Sequence, residues 1–214
     1  MGHTYAQDGN YDVRLIVTDN LGVADTSFST ATVANVAPAI ASFSGASLLP
    51  GEAYNATGSF ADPGADQWSA TVSYGDGSAT QSLLLSGKTF ALSHIYLSPG
   101  TFTVTVQVSD DDVASTRTQF VNVTAPSQAL AQAGGLLREF SLDAGLNAGN
   151  ANSLRAKLDA AQAQLGAGNS TAAVNQLQSL LNEIDAMIRS DRASAADAAD
   201  LVTMLNRIIR SLSI

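Results

Sequence analysis

Two stretches of this chain carry the same residue pattern 91 positions apart, and that duplication restricts the possible folds more than any other feature. His3, Tyr5, Gly9, Tyr11, Val13, Leu15, Val17 and Asp19 return as His94, Tyr96, Gly100, Phe102, Val104, Val106, Val108 and Asp110 with every spacing kept. A repeat of this length implies duplicated modules. In both copies apolar residues alternate with polar ones, so a strand built from them has one face for a core and one for water.

The two copies differ in what precedes them. Residues 1–36 read as a partial module, its terminal hairpin only: Tyr11, Val13, Leu15 and Val17 on one strand face, Asp19-Asn20-Leu21-Gly22 as the turn, and Phe28 to Val36 as the returning strand. The expected first strands of that module are not in the sequence. A lone hairpin is marginal in water, so the missing sheet is expected from another protein subunit, from another copy of the chain, or from residues upstream of a misassigned start. The segment Asn35-Val36-Ala37-Pro38 then reads as a short, semi-rigid joint.

Residues 37–125 hold a full set of short strands, predicted near 40–43, 54–60, 68–74, 81–85, 89–96, 101–109 and 113–123. Seven strands bounded by Gly, Pro, Asp or Ser predict an immunoglobulin-like β-sandwich. Trp68, Ala70, Val72 and Tyr74 share one face of the third strand and are assigned to its core. After Pro126 the apolar period changes from 2 to 3.6, which predicts an all-α bundle of four helices over 127–214. Ser127 is the expected cap of the first helix, and 151–165 and 170–190 are the second and third. Ser194 with Asp197 forms a capping box for the fourth. One core is expected from Leu154, Leu158, Leu177, Leu181, Leu205 and Ile209, with Arg207 and Arg210 on the opposite side as surface groups.

Two family resemblances follow from particular residues. Tyr74-Gly75-Asp76-Gly77-Ser78, then His94-Ile95-Tyr96 and Gly100-Thr101-Phe102-Thr103-Val104, resemble the polycystic kidney disease (PKD) domain, a sandwich of bacterial surface proteins and secreted hydrolases. The likeness covers 37–125 fully and 3–36 in part. Asn152-Ser153-Leu154, Lys157-Leu158, Ala161, Asn175-Gln176-Leu177 and Ala195-Ala196-Asp197-Ala198 make the helical part similar to the FIMAH and FIVAR modules of secreted bacterial proteins. The resemblances imply an extracellular, cell-surface or periplasmic location, and attachment to a surface or to polysaccharide.

Charge and residue types exclude several functions. The net charge is −9, with 3 basic and 11 acidic residues in 1–126 against 7 and 8 in 127–214, so no basic patch is available for nucleic acid. No apolar run reaches the roughly 18 residues of a membrane span, and no export signal is recognisable in the chain. Cysteine is absent. The only two histidines, His3 and His94, hold equivalent repeat positions and read as scaffold groups, which leaves nucleophilic triads and histidine zinc sites short of members. No enzyme activity is expected. Asn55, Asn122 and Asn169 each begin a glycosylation-type triplet, a pattern that Ser/Thr-rich chains contain by chance.

Acidic loops offer one sharper option. Asp62, Asp66, Asp110, Asp111 and Asp112 fall in predicted loops, and calcium takes six to eight oxygen ligands of this kind. PKD domains that bind calcium imply Asp62 and Asp110 as its ligands here; otherwise no cofactor is expected. Asp76 reads as a turn residue between two glycines. The predicted function is that of a non-catalytic extracellular or cell-surface module in protein–protein assembly, adhesion or spacing, the alternative being the glycan-binding tail of a secreted hydrolase.

Overall fold

The computed structural model describes residues 2–214, with eleven strands followed by four helices. β1 (Gly9–Thr18) and β2 (Ala24–Val33) pair antiparallel as a separate two-stranded sheet, from Gly9 opposite Val33 to Thr18 opposite Ala24. Asp19 closes the hairpin: its Oδ1 accepts the amide hydrogens of Leu21 and Val23, both at 2.9 Å. An aspartate with free backbone donors two and four residues on forms such a turn readily.

The sandwich has two sheets. One has the order β4 (Ala46–Leu48), β11 (Ala114–Val123), β10 (Gly100–Ser109), β6 (Ser69–Ser73), β7 (Gln81–Ser82); the other runs β3 (Ala39–Ile40), β5 (Ala53–Ala61), β9 (Thr89–Ile95), β8 (Leu85–Ser86). This is the predicted immunoglobulin-like architecture, with three local corrections. The strand expected over 81–85 is split, because the chain leaves β6 after Ser82 and rejoins the other sheet at Leu85. β4, three residues long and parallel to β11, is too short to show any alternation in sequence. Trp68 precedes β6 and is only half-buried, while Ala70, Val72 and Tyr74 are buried. Its ring meets Phe60 edge-on, with centroids 5.7 Å apart, and carries the Lys88 ammonium 4.4 Å above it.

Two compact units make up the chain. The first comprises residues up to 44 with 56–92 and 103–119. Its core is built on β10, where Val104, Val106 and Val108 are wholly buried and alternate with outward residues along the pleat. Phe43 and Phe90 pack edge-on within it, with centroids 6.1 Å apart. The turn after β6 needs glycine at position 75, since the backbone is left-handed there (φ 76°) and a Cβ would lie 2.5 Å from the Thr103 carbonyl oxygen.

The second unit comprises 45–55, 93–102 and 120–214. It contains α1 (Pro126–Asp143), α2 (Ala148–Gly166), α3 (Ser170–Arg189) and α4 (Ala195–Leu212). Pro126 occupies the first turn of α1 and Ala125 the cap position; the expected Ser127 cap is not used, because proline already supplies the helical φ and lacks the N–H that a cap would satisfy. α2 starts earlier than predicted, on an Asn147 side chain that accepts from the Asn150 amide at 2.9 Å. Ser194 caps α4 as expected, accepting from the Asp197 amide.

Leu154, Leu158, Leu177 and Leu205 are in the helical core as predicted, joined by Phe140 and Leu201. Two positions are corrected. Leu180 and Ile208 are fully buried, whereas Leu181 and Ile209 are partly buried at the margin of the core. Helical geometry turns about 100° per residue, so neighbours in an apolar run compete for one inward position. Arg207, expected to be a surface group, instead pairs with Glu52: Nε and one terminal nitrogen each donate to a carboxylate oxygen at 2.7 Å. Glu52 also accepts the Leu49 amide hydrogen at 2.8 Å, and Leu49 is buried in the helical core.

Leu180→Ala is expected to cost about 2–5 kcal/mol and Leu181→Ala clearly less, as read by denaturant unfolding; equal losses would return Leu181 to the core. Arg207, through its two hydrogen bonds, holds the Glu52 carboxyl below the ordinary glutamate value of 4.5. A depressed folded pKa stabilises above the unfolded value, and that stability is lost as pH falls through the folded one. Glu52→Gln should therefore cost about 1–2 kcal/mol at neutral pH. The gap from the parent chain should narrow as pH falls below the ordinary glutamate value of 4.5.

Candidate metal centre

The loop after β5 and the turn between β10 and β11 bring Asp62, Asp66 and Asp110 together. Each is more than nine-tenths buried, and one carboxylate oxygen from each lies within 4.8 Å of the other two. Asp62 and Asp110, singled out from the sequence, thus meet with Asp66 as a third member, while Asp111 and Asp112 are exposed.

Local structure accounts for part of this arrangement. Asp110 Oδ1 accepts the amides of Asp112 at 2.8 Å and Val113 at 2.5 Å, the role Asp19 plays in the repeat. Its Oδ2 accepts from the Asn35 side-chain amide at 3.1 Å. The Val113 hydrogen bond, with those from Asn35 and Asp112, holds the Asp110 carboxyl below the usual carboxylate range. Asp62 Oδ1 accepts the Gly64 amide at 3.0 Å, an ordinary turn contact. Asp66 Oδ1 accepts from Gln7 Nε2 at 2.5 Å, and Gln7 Oε1 accepts the Ala65 amide.

The remaining oxygens are not explained by turn formation. Oδ2 of Asp62 and Oδ2 of Asp66 are buried without a hydrogen-bond partner. Burial pushes the Asp66 carboxyl up, and Asp62 beside it adds to the rise against the opposing Gln7 hydrogen bond. The charge of Asp8 likewise raises Asp112 at the rim. Buried carboxylates lacking a partner are costly, and an oxygen-seeking cation would satisfy them. The donor set is all oxygen, as calcium requires.

Sequence reasoning missed Gln7 and Asn35, which reach the acids from either side of the hairpin, together with a backbone hydrogen bond from Ala65 to the Ala6 carbonyl. Uncharged amides in a joint leave no signal in one sequence. The two histidines make equivalent ring contacts in the two repeat copies. His94 meets Tyr96 edge-on at 4.7 Å and Tyr96 stacks on Phe102 at 4.5 Å; His3, Tyr5 and Tyr11 repeat this at 4.7 and 4.3 Å.

Residues 35–125 match the family profile of the PKD domain and residues 130–210 that of the FIMAH domain. The chain carries a PKD domain followed by a FIMAH domain. Among solved structures, the PKD domain of an M14-like peptidase from Thermoplasmatales archaeon SCGC AB-540-F20 is 28% identical, covering 42% of this chain and 98% of that one, with a TM-score of 0.38. The PKD domain of the human VPS10 domain-containing receptor SorCS2 is 26% identical over 42% of this chain and 72% of that one, TM-score 0.29. An endo-fucoidan hydrolase of glycoside hydrolase family 107 is 18% identical over 56% and 19%, TM-score 0.31. No curated protein matches the chain. PKD and FIMAH domains are typically non-catalytic and typical of extracellular or surface proteins. Among the described residues no helix is long and apolar enough to cross a membrane.

Proposed function

We propose that the chain acts as a non-catalytic module of an extracellular or cell-surface protein, in protein–protein assembly through its N-terminal hairpin. The contrast between the two repeat copies carries this reading. Val104, Val106 and Val108 of the PKD domain are 0% exposed, while their counterparts Val13, Leu15 and Val17 are 39%, 61% and 60% exposed. Covering such a side chain fully contributes about 1.5–3 kcal/mol. Both long edges of a two-stranded sheet remain open for pairing, and a strand edge beside an uncovered apolar face invites addition of a strand from another chain.

A second copy of the chain has the complementary hairpin and is the partner to test first. Sedimentation of residues 1–214 is expected to give a concentration-dependent dimer or larger species, and replacing Val13, Leu15 and Val17 by Ser should abolish it. A strict monomer whose amides over 10–36 are strongly protected from exchange would overturn the proposal, since the hairpin would then be stabilised by its own chain. Rapid exchange there in a monomer would direct assembly to a different subunit.

The acidic pocket supports a second, separable proposal: Asp62, Asp66 and Asp110 hold a calcium ion. The two buried carboxylate oxygens without partners favour it over a solvated acidic loop. Bound calcium would supply positive charge at the joint, and Gln7 and Asn35 would tie the hairpin to it. Millimolar calcium is expected to raise the melting temperature and chelator to lower it, because an ion that binds only the folded state stabilises by mass action. Asp66→Asn should remove the response. A melting temperature indifferent to both additions would sink the calcium reading and leave the assembly reading intact.

A further inference from the structure

We infer that two copies of the chain join edge to edge through β1, antiparallel about a twofold axis at Val13, so that Asp12 of each copy faces Arg14 of the other. The pairing rests on the assembly reading above and gives it an edge, a partner and a register.

The complete repeat copy shows which edge accepts a strand. β10 lies between β11 and β6 and pairs antiparallel with β6 over Thr105–Ser109, whereas the far edge of β11 takes only the three-residue β4. The repeat puts Arg14–Thr18 at the positions of Thr105–Ser109. In the hairpin that edge is open, since β1 and β2 form a sheet of two strands. The Asp19 amide donates to the Val23 carbonyl at 2.9 Å, and hydrogen-bonded pairs alternate along an antiparallel ladder. Backbone groups of Val13, Leu15 and Val17 therefore point to β2. Those of Asn10, Asp12, Arg14 and Ile16 point to the open edge, where an added strand can pair with them.

Charge then selects the register. Asp12 and Arg14 are the only charged residues of β1, both exposed. Neither has a hydrogen-bond or ion-pair partner among the described residues, and their cross-strand neighbours on β2, Thr30 and Phe28, are uncharged. Two identical edges meet about a twofold axis, so every contact occurs twice. An axis at Asp12 or Arg14 sets like charges opposite each other, which destabilises a sheet. An axis at Leu15 or Ile16 puts uncharged residues opposite both. Only the axis at Val13 pairs each Asp12 with an Arg14. It also sets Val13 against Val13 and Tyr11 against Leu15, which carries the apolar face across four strands.

The test is sedimentation of the full chain with the two charges reversed one at a time. Asp12→Arg puts two arginines on each edge and Arg14→Asp two aspartates; each should weaken self-association about tenfold. Asp12→Arg makes the net charge of −9 less negative, so general repulsion between copies predicts the opposite sign. Mixing the two variants should restore parent-like association, as a heterodimer seen by native mass spectrometry. If the parent associates but either reversal leaves it unchanged, or the mixture fails to recover, the register is wrong and the assembly reading stands. A parent that stays monomeric with rapid exchange over 10–36 also overturns the pairing, and leaves assembly with a different subunit.

Discussion

An alternating strand is held in place by whatever covers its apolar face, and the whole sandwich depends on that cover over β10. Val104, Val106 and Val108 are sealed by their own domain, and the pairing of Thr105–Ser109 with Ser69–Ser73 follows from their alternation. Slipping the register by one residue would turn all three valines outward. β1 carries the same alternation, the same aspartate turn and the same His–Tyr–aromatic stack, yet its face is open. Local sequence therefore suffices to form the hairpin and its turn in the structure. It does not supply the cover.

The features legible in the sequence were those with a period or a punctuation mark. Alternation with bounding Gly, Pro and Asp gave the long strands, and the change to a 3.6 period after Pro126 gave four helices. What was misplaced along these elements lay within three residues of a boundary or one residue of a face. Leu180 and Leu181 are chemically identical neighbours, and which of them points inward is decided by how α3 rolls against α2 and α4, not by hydrophobicity. β4 is invisible for a different reason. Its three residues are strand only because Val121–Val123 pair alongside them.

The acidic pocket was half legible. Asp62 and Asp110 are turn-forming residues in predictable loops, and Asp19 shows that such an aspartate can serve a turn alone. Asp66 is distinguished only by burial, and the amides that accompany it come from residues 7 and 35, distant in sequence and unremarkable in type. Convergence of that sort is a tertiary fact.

The Glu52–Arg207 pair shows why the helices are more than an appended tail. A bidentate pair about three-quarters buried fixes two planar groups in one mutual orientation. The same carboxylate anchors the Leu49 amide, and Leu49 lies in the core with Ala129, Leu130 and Leu205. The loop from 49 to 52 is thus part of the helical core rather than a spacer beside it. The Thr124 amide bonds the Leu48 carbonyl at 2.8 Å immediately before α1 begins, so the approach to the first helix is fixed by backbone as well as by side chains. A helical module seated this way is fixed in direction relative to segment 45–55, by an ion pair, a buried leucine and a backbone hydrogen bond together.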